Sequence, residues 1–98
     1  MMIYYSIIEG EPKETNPESA ETLGAYIDVW VKAESLEESI QKAKDYVDLE
    51  GWIIIDIIES SEVLRENYIA DSDLLEYYDE AWEKGIIAVF YTWDSEGE

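Results

Sequence analysis

The sequence predicts an α+β domain, a mostly antiparallel sheet of four or five strands with two helices on one face. Three observations carry that expectation. "AYIDVWVKA", residues 25–33, alternates apolar and polar positions as a half-buried strand does. Two other segments, 35–51 and 71–85, repeat their apolar residues at helical spacing. Short runs rich in β-branched and aromatic residues stand between and around them. A chain of 98 residues holds one domain, 1–98, with a single modest core.

In chain order, "MIYYSIIE" (2–9) is expected to be a strand and "GEPKETNPESAETLG" (10–24) to open a long connection. Residues 10–23 of that connection hold both prolines and read as a mobile acidic loop. In the alternating strand, Ala25, Ile27, Val29 and Val31 point one way and Tyr26, Asp28, Trp30 and Lys32 the other. "SLEE" from Ser35 to Glu38 has the spacing of a capping box. Leu36, Ile40, Ala43 and Val47 then form a helical stripe, and Gly51 is placed to end it. "WIIIDIIE" (52–59) is the next strand, a short strand is expected at 62–68, and "DSDLLEYYDEAWEKG" is the second helix, capped by Ser72 or Asp73. "IIAVFYTW" (86–93) closes the sheet, and 94–98 read as a disordered tail. Residues 24–93 thus spell β-α-β-β-α-β after an extra N-terminal strand. That order resembles the ferredoxin-like two-layer sandwich, a fold that hosts many unrelated functions.

Along 52–59, Ile53, Ile55 and Ile57 are expected to face the helices, while Trp52, Ile54, Asp56 and Ile58 face away. The face away from the helices then collects Tyr26, Asp28, Trp30, Trp52, Ile54, Asp56, Ile58, Tyr91 and Trp93. So many large apolar side chains exceed what a monomer usually exposes. The expected covering is a second copy of the chain, with a partner protein, a ligand or the 10–23 loop as alternatives. Asp56 marks this face, or else sits at a strand bend and blocks edge pairing.

Twenty-five acidic residues against six basic ones give a net charge of −19. Such a chain repels phosphate backbones and anionic lipid, so nucleic-acid and membrane-surface binding are disfavoured and a basic protein surface is the expected partner. On the second helix, Asp73, Glu76, Asp79, Glu80 and Glu83 share the side opposite the apolar stripe. At a rise of roughly 1.5 Å per residue their spacing approaches that of phosphates along one DNA strand. An inhibitor or immunity-type protein could use such a stripe, although most charge runs are simply wet faces.

Without cysteine or histidine there are no disulfides, no thiolate chemistry, no zinc site and no imidazole catalyst. "DSDLLE" begins like a calcium loop, but Leu75, Glu76 and Trp82 occupy positions that need an oxygen ligand, a glycine and a glutamate. No glycine-rich phosphate cradle is present, and no metal or cofactor is expected. An enzyme is not expected either. The exception would be carboxylate chemistry at Asp56 beside tryptophans. The longest apolar run, 86–91, is far too short to span a bilayer, and the start lacks a basic leader, so cytoplasm is the expected location. The expected function is therefore non-enzymatic protein binding, with a small-ligand or regulatory domain, its pocket over the sheet, as the alternative.

Overall fold

The computed structural model describes residues 1–94, so the tail expected at 94–98 lies outside the described residues except for Asp94. The fold is α+β, a four-stranded antiparallel sheet with two helices and an N-terminal strand, the element content of a ferredoxin-like sandwich. In chain order these are β1 (Met2–Pro12), β2 (Thr22–Ala33), α1 (Leu36–Leu49), β3 (Trp52–Val63), α2 (Ser72–Lys84) and β4 (Ile86–Asp94). The sheet order is β3-β1-β2-β4, so β1 is central and β3 is an edge strand.

That order dictates where the helices go. β2 and β3 are both antiparallel to β1, hence parallel to each other, and their link must return along the length of the sheet. α1 makes that return, burying Ser39, Ala43 and Val47 at four-residue spacing against Tyr4, Ile8, Ile27, Val29 and Val31. Ser35 caps it, its Oγ accepting from the Glu38 amide at 3.1 Å, as the "SLEE" spacing predicts. β3 and β4 are antiparallel and lie on opposite edges, so their link has only to cross one end of the sheet. Residues 64–71 make that crossing, and α2 then packs on β2 and β4, its Ala81 against Ile3 and Trp30.

Both helices were expected on one face; α2 lies against the face opposite α1. The reason is in β2: the residues that point away from α1 include Trp30, 1% exposed, and burying an indole needs a cover on that side. Tyr77 of α2 supplies part of it, its ring 5.0 Å from that of Trp30.

The strand expected at 62–68 is not separate. β3 continues to Val63 and a 3-10 turn occupies Arg65–Tyr68. β3 also breaks its alternation twice. Ile7 pairs with Glu59 but Ile8 with Ile57, and Glu9 pairs with Asp56 but Gly10 with Ile54. Ile58 and Ile55 are the extra residues of two bulges, and each resets which face follows. Trp52, Ile54 and Ile57 consequently pack toward α1, while Ile53, Ile55 and Ile58 are about half exposed (48%, 48% and 49%).

The ends of the expected 10–23 loop are strand. Its middle is pinned to the turn between α1 and β3. Lys13 N and Asn16 Nδ2 both donate to Gly51 O, at 2.9 and 3.0 Å, and Lys13 Nζ meets Asp48 Oδ1 at 2.7 Å. Asn16 Oδ1 accepts from the Glu18 amide and starts the 3-10 turn Pro17–Ala20.

Candidate functional site

α2 packs on β2 and β4 over Trp30, Ile87 and Val89, which covers one end of its face of the sheet and leaves the other open. Along β2 the transition is residue by residue: Trp30 is buried beneath α2, Asp28 is half-buried at the helix margin, and Tyr26 is 45% exposed. The register places Val89 and Tyr91 of β4 beside Asp28 and Tyr26, and Trp93 beside Gly24. On the other side β1 brings Ile7 opposite Asp28 and Glu9 opposite Tyr26, and β3 brings Glu59 and Asp56 next to those two. The open floor is therefore aromatic at the β4 edge and carboxylate-rich toward the β3 edge.

Its aromatic half is built on a glycine. A Cβ at Gly24 would stand 2.5 Å from Cζ2 of Trp93, so only glycine lets that indole lie down on β2. In that position the Trp93 ring sits 5.0 Å from Tyr26. Tyr91 and Trp93 remain 53% and 37% exposed.

Asp28 is the electrostatic centre. The Tyr5 hydroxyl donates to its Oδ1 at 3.0 Å. Burial raises the Asp28 carboxyl above the ordinary carboxylate value, the Tyr5 hydrogen bond pulls it back, and Glu59 raises it further. Tyr5 is pushed far above the usual phenol value by burial first and then by Asp28. Tyr91 is raised by desolvation, then by the charges of Asp28 and Asp73, with Tyr77 contributing between them. Asp73, Tyr77 and Glu80 share one flank of α2, at spacings of four and three residues, and that flank borders the open floor.

Of the residues expected on this face, Tyr26, Asp28, Asp56, Tyr91 and Trp93 are brought together, with Ile58 exposed at its β3 edge. Trp30 is not available, since it is buried under α2 with its Nε1 donating to the Tyr68 hydroxyl at 3.0 Å. Trp52 (3% exposed) and Ile54 belong to the other face, where Trp52 packs 5.6 Å from Phe90 in the core under α1. Asp56 is exposed beside a bulge, in the rim position, away from any buried tryptophan. On α2, Asp73, Glu76, Asp79 and Glu83 are exposed and Glu80 is half-buried. Asp79 is held by Arg65 in a two-point pair (Nε to Oδ1 3.0 Å, Nη2 to Oδ2 3.1 Å), which leaves the other four as the free stripe among the described residues.

Sequence reasoning missed Tyr5, Ile7, Glu9 and Glu59, which join the floor because β1 is central. The adjacent Tyr4–Tyr5 pair was the available signal, one of the two having to face each side. Among the described residues, no group of three or more acidic side chains gathers as a metal site, and no helix is long and apolar enough to cross a membrane. The chain matches no family model, and no curated protein or solved structure is significantly similar to it.

Proposed function

We propose that the chain is a non-enzymatic, cytoplasmic binding module. Its open aromatic face, with the acidic flank of α2, holds a basic surface of a partner protein, in the manner of an inhibitor or immunity-type protein. One observation carries this reading. Tyr26, Tyr91 and Trp93 stand exposed among Asp28, Asp56, Glu9 and Glu59, and the strand segments that form this floor (5–11, 22–28, 53–59 and 89–94) contain no lysine or arginine. Aromatic faces beside carboxylates suit guanidinium and ammonium groups, which stack on the rings while pairing with the oxygens.

A second copy of the chain fits the same face less well, because a two-fold axis through it would bring carboxylates against their own kind. The small-ligand reading needs a cover over the floor. Residues 13–21 do not supply one, being tied instead to the α1–β3 turn.

The test is a calorimetric titration with nona-arginine. Binding is expected at low ionic strength (about 0.05 M) and should be at least about tenfold weaker near 0.5 M. Tyr91→Ala and Trp93→Ala, both at exposed sites, should each weaken it about fivefold or more. Affinity indifferent to salt and to both substitutions overturns the proposal. So does a dimer by light scattering that Trp93→Glu dissociates, since that would assign the face to a second copy.

A further inference from the structure

Three of the six basic residues in this chain, Lys32, Lys42 and Lys84, line one cavity of about 340 Å³. It lies where the C-terminal end of α2 turns into β4, beside α1, and shares no residue with the aromatic face. In a chain of net charge −19, spreading the cations among the acids would be the electrostatically cheaper arrangement, so their convergence needs a reason.

Structural duties account for only part of it. Lys32 Nζ donates to Trp82 O at 3.2 Å and lies 4.6 Å from the centre of the Trp82 ring, helping to close α2. Lys84 stands in the last turn of α2, where a cation offsets the helix dipole. Lys42 Nζ is 3.6 Å from Glu38 Oε1, a loose and exposed pair. Each ammonium carries three donors, so all three lysines keep unused N–H groups. Among the described residues, neither Lys32 nor Lys84 makes an ion pair. The cavity's one acid, Asp45, already accepts from Gln41 Nε2 at 2.8 Å.

The remaining wall is apolar and accessible. Tyr46 and Ile86 line it, and at Gly85, held at φ +95°, an added Cβ would meet nothing within 4 Å. The volume falls in the range of small-molecule pockets, roughly 300 to 1,000 Å³. Lysine ammonium groups bind phosphate as point charges, and two of them with unused N–H donors can share its several oxygens. We propose that this cavity binds a small phosphomonoester whose organic part is flat and apolar, the phosphate on Lys42 and Lys84 and the body against Tyr46 and Ile86.

The test is an NMR amide titration of the full chain with phenyl phosphate, with inorganic phosphate and phenol as controls. Saturable shifts are expected at Tyr46, Gly85 and Ile86, tighter than with either control. Lys42→Gln and Lys84→Gln should each weaken binding at least about fivefold while the rest of the spectrum stays in place. The proposal is overturned by shifts that never saturate, by equal shifts at Lys13, Lys44 and Arg65, by inorganic phosphate binding as tightly as phenyl phosphate, or by undiminished affinity in the Lys42→Gln/Lys84→Gln double variant.

Discussion

Asp28 carries more of the open face than any other side chain, because it is charged, half-buried and bound to Tyr5. Its carboxyl is raised in the folded state, so the fold holds its proton more tightly than the unfolded chain does. The stability lost on ionising it is absent below the unfolded value. It grows as pH rises through the window between the unfolded and the folded value, and is complete above the latter. Asp28→Asn keeps an oxygen for the Tyr5 hydroxyl and removes the charge. It should raise unfolding stability at pH 7 by up to about 1 kcal/mol, a discounted figure for a site that is only half-buried. The gain should vanish as pH falls to the ordinary carboxylate range. Urea denaturation at pH 7 and in mild acid checks both; a variant less stable at pH 7 would mean that the charge, not the oxygen, is what Tyr5 needs.

At the scale of elements, the connection between β1 and β2 hangs on Asn16, buried and engaged at both ends of its amide, to Gly51 O and from the Glu18 amide. Asn16→Ala leaves the Gly51 carbonyl with the Lys13 amide as its remaining donor and the 3-10 turn without its cap. A loss of about 1 to 3 kcal/mol is expected, with faster amide exchange confined to residues 13–21. Exchange spread evenly over the sheet would show instead that the connection holds no local structure of its own. Elements like this one show what was legible. Both helices, the strict alternation of β2 and the Ser35 cap follow from spacing and local hydrogen bonding, which a sequence displays. The faces of β3 do not, because two bulges reset a period of two and no residue type announces them; five apolar neighbours around Asp56 look alike in either register. The start of α2 lies one residue before the expected caps: Asp71, not Ser72 or Asp73, accepts from the Asp73 and Leu74 amides. The side of the sheet that α2 takes was hidden as well, since only the central position of β1 makes Trp30, Ile3 and Tyr5 one patch in need of a cover. The candidate site was half visible for the same reason. Its β2 and β4 residues alternate openly, whereas its β1 and β3 residues depend on strand order.

For the whole molecule, charge sets opposite salt dependences for stability and for binding. Twenty-five acids and six bases leave the folded chain under self-repulsion, which compaction increases. Against this stand three ion pairs among the described residues, Lys13–Asp48, Lys42–Glu38 and Arg65–Asp79. All lie at the surface with at least a third of each side chain exposed, a class worth less than about 1 kcal/mol each. Screening therefore removes little attraction and much repulsion. Raising NaCl from about 0.02 to 0.5 M shortens the screening length from beyond the reach of neighbouring side chains to within it. The melting temperature should rise by about 4 to 8 °C, the shift that roughly 1 kcal/mol produces in a domain of this size. Circular-dichroism melts at neutral pH measure it directly. A melting temperature that falls with salt would mean that attractive pairs outweigh the repulsion, and the acidic surface would then be a network holding the fold together. Over the same salt range the proposed grip on an arginine-rich surface should loosen, because there the charges attract. A fold that tightens while its binding weakens separates a surface kept acidic for a partner from one kept acidic for its own stability.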